Sequence, residues 1–125
     1  MFDLFIKNGL VYHEGVFKRL NIGVRNGKIV YLGKTVFKSL ETVDAKNKKV
    51  IPGLIDPHVH FDLFCGTIPS RDDFYYGSKS AIYGGVTTIV DFLDPTRNAK
   101  ELKKSFFERL AKAKNCNCDY WVFVK

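Results

Sequence analysis

After Pro52-Gly53, short β-branched or apolar runs alternate with helical stripes, and that alternation leaves few folds open. Leu54 to Phe61 is apolar on both faces apart from Asp56 and two histidines, the composition of a buried parallel strand. Ser70 and Asp73 make a capping-box-like helix start, with Asp replacing the usual Glu. Phe74, Gly77, Ser78, Ala81 and Ile82 then share one helical stripe, with small residues permitting close approach to a sheet. Gly84-Gly85 ends that helix. Val86 to Phe92 is β-branched and short, hence a second buried strand, which Asp94-Pro95 breaks. Asn98 with Glu101 opens the next helix, whose apolar stripe is Leu102, Phe106, Leu110 and Ala113, with Phe107 beside it. Tyr120 to Val124 is a third strand. The order β-α-β-α-β implies right-handed crossovers and a parallel sheet.

Residues 1–50 have a different rhythm. Leu4 to Lys7 and Leu10 to Tyr12 flank Asn8-Gly9, read as a turn, and Val16 to Arg25 alternates as a half-buried strand does. Asn26-Gly27 separates that run from Lys28 to Leu32, a hairpin signal because both turn residues tolerate positive φ. Thr42 to Asp44 and Lys49 to Ile51 add further extended pieces, so this section is expected to be a small antiparallel β unit.

With 125 residues, 46% of them hydrophobic, the chain can bury a core, so global disorder is excluded. Its net charge of +7 raises nucleic-acid binding. The densest basic set (Arg97, Lys100, Lys103, Lys104, Arg109, Lys112 and Lys114) shares a helix with Glu101 and Glu108, and reads as a solvated face. No nucleic-acid partner is expected. Cys65, Cys116 and Cys118 form no disulfide framework, which suggests a reducing compartment. Cys116-Asn117-Cys118 has a spacing that can touch a metal, but coincidence of a loop with a strand start is the commoner origin of such a pair, and is the reading adopted. Neither a signal peptide nor a membrane span is visible, so a cytoplasmic protein without a membrane partner is expected.

The chemistry-bearing feature is Asp56-Pro57-His58-Val59-His60. In an extended backbone positions i and i+2 face the same side, so Asp56, His58 and His60 would line up. Two neutral imidazoles converging there can chelate a divalent metal such as zinc; two exposed histidines at a strand end are the plainer alternative. Asp56 is read as orienting a histidine rather than ligating. Asp91 can point into the strand ends' mouth or cap a nearby backbone amide. Thr87 and Thr88 read as strand packing, Gly84-Gly85 as a helix stop and His13 as a surface residue.

Val50-Ile51-Pro52-Gly53-Leu54-Ile55-Asp56-Pro57-His58-Val59-His60 resembles the N-terminal part of metal-dependent cyclic amidohydrolases. Gly66-Thr67, Asp72-Asp73-Phe74, Gly77, Gly84 to Phe92 and Cys118-Asp119-Tyr120 extend the likeness, most closely to the hydantoinase and dihydropyrimidinase branch. Ile6-Lys7-Asn8-Gly9 and Asn26-Gly27-Lys28-Ile29 resemble that family's leading β-sandwich strands, so the likeness covers essentially the whole chain. Dihydroorotase is the near neighbour, but its pattern places Arg two residues after the second histidine, where this chain has Asp62. An acidic group there would repel a substrate carboxylate, favouring hydantoins and dihydropyrimidines.

The resemblance implies an α/β fold: a partial (β/α)₈ TIM-type barrel preceded by a small antiparallel β-sandwich portion. Residues 1–50 would be the sandwich portion, and 51–125 the first three strands and two helices of the barrel. It also implies that His58 and His60 bind one metal of a two-metal centre, most simply zinc. Such cations make bound water nucleophilic near neutral pH and polarise the amide carbonyl, opening the ring to an N-carbamoyl acid. A whole barrel needs roughly 250 residues. The bridging lysine, later histidines and catalytic aspartate of the family would lie after Lys125, so no catalytic residue is assigned here and substrate-binding residues are unknown. The expected partners are a small cyclic amide and either a second copy or a complementing C-terminal portion. A dihydroorotase-type enzyme or a non-catalytic scaffold on the same fold is the alternative.

Overall fold

The computed structural model describes residues 1–65 and 68–124, apart from the side chain of Cys65; Gly66-Thr67 of the motif above lies outside the described residues. The chain divides into two compact units, Met1–Pro52 and Gly53–Lys125.

The first unit holds β1 (Phe2–His13), β2 (Val16–Arg25), β3 (Lys28–Gly33), β4 (Ser39–Asp44) and β5 (Lys49–Val50). The sheet runs β3-β2-β1-β4, and β5 also pairs with β1. Asn26 (φ 51°) and Gly27 (φ 69°) form the expected hairpin turn between β2 and β3, both left-handed. Two expectations fail in this unit. Asn8-Gly9 is not a turn: β1 runs straight through, with a register shift between Ile6 and Gly9 and Asn8 at φ 64°. The irregularity is held by Asn8, whose backbone N–H donates to Asn21 Oδ1 (2.9 Å) while its Nδ2 donates to Asp44 Oδ1 (2.9 Å). The sheet is also mixed rather than antiparallel, because β4 and β5 run parallel to β1. β3 already points the same way as β1, so residues 34–38 must cross over before β4 begins. The core is aromatic: Phe5 is fully buried, with the Phe2 ring 5.7 Å and the Tyr31 ring 6.4 Å away.

The second unit contains β6 (Leu54–Val59), β7 (Phe64–Cys65), β8 (Ile68–Pro69), α1 (Phe74–Tyr83), β9 (Val86–Phe92), α2 (Ala99–Ala113) and β10 (Asp119–Phe123). β10-β9-β6 form an all-parallel sheet, and β7 and β8 pair as a small antiparallel ribbon inside the expected loop. Pro57 has no N–H to give the ladder, and the β6–β9 register shifts between Asp56 and Val59. β6 therefore ends before His60. Nor is it buried on both faces, since Leu54 and Ile55 are 48% and 65% exposed.

Asp73, not Ser70, caps α1: its Oδ1 accepts from Tyr76 N–H (2.8 Å), while Ser70 Oγ accepts from Leu63 N–H (3.0 Å). Gly77 lets Phe61 in, since a Cβ there would lie 2.3 Å from the Phe61 ring. α2 starts at the predicted cap. Asn98 Oδ1 accepts from the N–H groups of Lys100 and Glu101, and Glu101 accepts in return from Arg97 N–H and Asn98 Nδ2. The chain as a whole is mixed α/β and mostly β. Among the described residues, no helix is long and apolar enough to cross a membrane.

Candidate metal centre

β6 runs through Asp56 and His58 to its carboxyl end at Val59, and His60 follows immediately. The rings of His58 and His60 meet edge to face, with centroids 4.8 Å apart and Nε2 atoms 3.0 Å apart. Tetrahedral coordination at about 2.0 Å separates two nitrogen donors by about 3.3 Å. The observed separation is therefore close to a chelating bite. Both imidazoles are exposed, and Phe92 at the end of β9 lies 4.3 Å from the His58 ring and 5.6 Å from that of His60. Asp56 Oδ1 accepts from the backbone N–H of His58 (3.2 Å), so it orients His58 through the main chain rather than through the ring. Among the described residues, no group of three or more His, Cys, Asp or Glu side chains is placed to hold a metal.

The backbone just after His60 is clamped by a buried ion pair that the sequence reading missed. Asp91, fully buried on β9, accepts from Arg109 Nε (2.6 Å) and Nη2 (2.9 Å). Arg109 Nη2 also donates to the carbonyl oxygen of Phe61 (2.5 Å), and Nη1 to that of Asp62 (3.0 Å). The guanidinium also stacks over the Phe74 ring, 4.9 Å from its centroid. Arg109 is only 3% exposed, which corrects its placement in the solvated basic face. Asp91 is spent on that guanidinium, and among the described residues no backbone amide donates to it. A signal was present in the spacing: Arg109 lies three residues after Phe106 and four before Ala113, on the apolar stripe itself.

Asp62 (φ 46°) turns its carboxylate to Lys112 Nζ at 2.7 Å, so its charge is already partnered. Thr87 and Thr88 lie within β9, and His13 ends β1 in the other unit, 3.6 Å from Glu14. The hydrogen bond and charge of Lys18, then the charge of His13, hold the Glu14 carboxyl below the usual range.

No family model matches the chain. The dihydropyrimidinase of Dictyostelium discoideum is 37% identical over 124 residues, covering 97% of this chain and 24% of that protein. A D-hydantoinase of Geobacillus stearothermophilus is 38% identical over 101 residues, covering 80% of this chain and 21% of its own length. Among solved structures, a D-hydantoinase superposes with a TM-score of 0.88 at 33% identity, over 96% of this chain and 26% of that one. The dihydropyrimidinase of Brevibacillus agri NCHU1002 gives 0.88 at 30% identity, over 96% and 26%. The chain thus spans about a quarter of the length of the curated relatives it matches.

Proposed function

From a chain that belongs to the hydantoinase and dihydropyrimidinase family as an N-terminal portion, we propose that it supplies the opening strands of a (β/α)₈ barrel hydrolase. That enzyme would act on the C–N amide bond of a cyclic amide, a hydantoin or a dihydropyrimidine. Residues 1–50 contribute to its β-sandwich, and 51–125 give the first three barrel strands. His58 and His60 hold one divalent cation, zinc in the simplest case. The observation that carries this reading is the pair of exposed Nε2 atoms 3.0 Å apart at the carboxyl end of a parallel strand, where barrel enzymes build their sites. When bound, the cations supply a nucleophilic water near neutral pH and polarise the amide carbonyl.

The chain's own residues do the positioning. Asp56 fixes the backbone of His58, Phe92 backs both rings, and Arg109 with Asp91 ties down the carbonyls that follow His60. Two protein donors leave coordination positions open, so metal bound by this chain alone is weak and the isolated chain is inactive. Trp121 (70% exposed) and Phe123 (55%) on edge strand β10, with Leu54 and Ile55 on β6, are apolar surface that the further strands of such a barrel would cover.

The test is to mix the chain with the remaining portion of a relative's barrel and assay ring opening of dihydrouracil and hydantoin with zinc present. Turnover by the mixture, lost in His58→Ala and His60→Ala, is expected. Zinc content in the complemented enzyme unchanged by both substitutions together would overturn the assignment.

A further inference from the structure

The amino end of the parallel sheet carries a second i, i+2 pair of side chains with metal-ligand chemistry, remote in sequence from the histidines. Cys116 and Cys118 flank Asn117 in the turn between α2 and β10, with sulfur atoms 3.8 Å apart and both residues half-buried. Two thiolates on one tetrahedral cation at 2.3 Å stand about 3.8 Å apart, so the pair already has that bite. The turn is built rather than loose. Asn117 N–H donates to Ser78 Oγ (2.8 Å), and Asn117 Nδ2 donates to Ser78 Oγ (3.1 Å) and to the Tyr75 carbonyl (3.0 Å). Ser78 itself is fully buried in α1. Cys116 N–H closes the end of α2 on the Ala113 carbonyl (2.9 Å). The residue between the cysteines is thus pinned to one helix and the first cysteine to the other. An open hollow lined by Ile82, Thr87, Cys116, Asn117, Cys118 and Asp119 faces the sulfurs.

We propose that Cys116 and Cys118 form a dithiol site for a single thiophilic cation of the zinc class, distinct from the histidine pair and independent of the hydrolase reading. Binding breaks two S–H bonds, forms two S–metal bonds and releases two protons to solvent, with no change of oxidation state. Burial first, then the Cys116 sulfur, then the Asp119 charge push the Cys118 thiol up to about 11. At neutral pH Cys118 therefore rests as a thiol, and the cation drives its proton off. Soft thiolate donors select such cations over magnesium or calcium.

Cadmium is the probe, because thiolate-to-cadmium charge transfer absorbs in the ultraviolet and imidazole ligation gives no such band. The whole chain in a Cys65→Ser background, kept reduced by a phosphine, is titrated with cadmium chloride. The expected result is a band saturating at one cadmium per chain with two protons released, retained when His58 and His60 are both alanine. Cys116→Ser and Cys118→Ser, each checked for native circular dichroism, abolish it. Asn117→Ala keeps both thiols but loses the side-chain anchor, and weakens cadmium binding by about tenfold or more, as loss of an orienting partner does. No band at stoichiometric cadmium would overturn the proposal. So would a band that survives either serine substitution, or an Asn117→Ala titration identical to the parent's.

Discussion

The histidine end and the cysteine end of the β10-β9-β6 sheet share one sequence pattern and differ in what holds them. His58 and His60 are exposed rings at a strand's carboxyl end, and the backbone after them is gripped by a buried charge pair between β9 and α2. Cys116 and Cys118 are half-buried, and the residue between them is gripped by neutral hydrogen bonds to α1. A shared i, i+2 spacing does not by itself bring donors together. In both places the convergence comes with an anchor contributed by a distant segment, ionic at one end and neutral at the other.

The difference can be broken at its strongest point first. Arg109→Ala leaves Asp91 charged, buried and unpaired, and should cost about 3–5 kcal/mol in urea unfolding. Replacing both together (Arg109→Met with Asp91→Leu) should recover much of that stability, because no charge is then left alone. If zinc binding by the histidines fails to recover with it, the clamp positions the site as well as the fold. At the other end, Ser78→Ala removes the acceptor of two Asn117 donors and should cost about 1–3 kcal/mol. A cost there as large as that of Arg109→Ala would erase the contrast between an ionic and a neutral anchor. Gly77→Ala sharpens the histidine end further: the added methyl meets Phe61 and should cost about 1–3 kcal/mol by overpacking. The smallest effect is a rate. Only the thiolate reacts with iodoacetamide, so alkylation of Cys118 should be slow at neutral pH and rise with pH until the thiol ionises at about 11. Fast alkylation of Cys118 at neutral pH, mapped by mass spectrometry, would contradict that environment.

Much of the fold was legible. The β-α alternation, the Asn98–Glu101 cap, the Asn26-Gly27 hairpin and the stop at Gly84-Gly85 are local devices, each settled by a few neighbouring residues. What misled was longer in range. Asn8-Gly9 has the composition of a turn, yet Asn21 and Asp44 capture the Asn8 side chain and backbone and keep β1 continuous. Ser70 looked like a cap, but the Leu63 amide takes its hydroxyl. Arg109 sat in a charge run that reads as solvent-facing, and only its position on the apolar stripe hinted otherwise.

The sequence alone determined which residues can carry chemistry here, because imidazole and thiol groups are the side chains that offer donors to a cation of the zinc class. It also determined the parallel sheet, since the helical stripes between strands leave no short way to turn back. Tertiary structure alone decided which charge is buried and which donors converge. Asp91 and Arg109 lie eighteen positions apart, and Asn117 and Ser78 thirty-nine. Burial makes each polar group find a partner wherever packing places one, and no local pattern of residues records that choice.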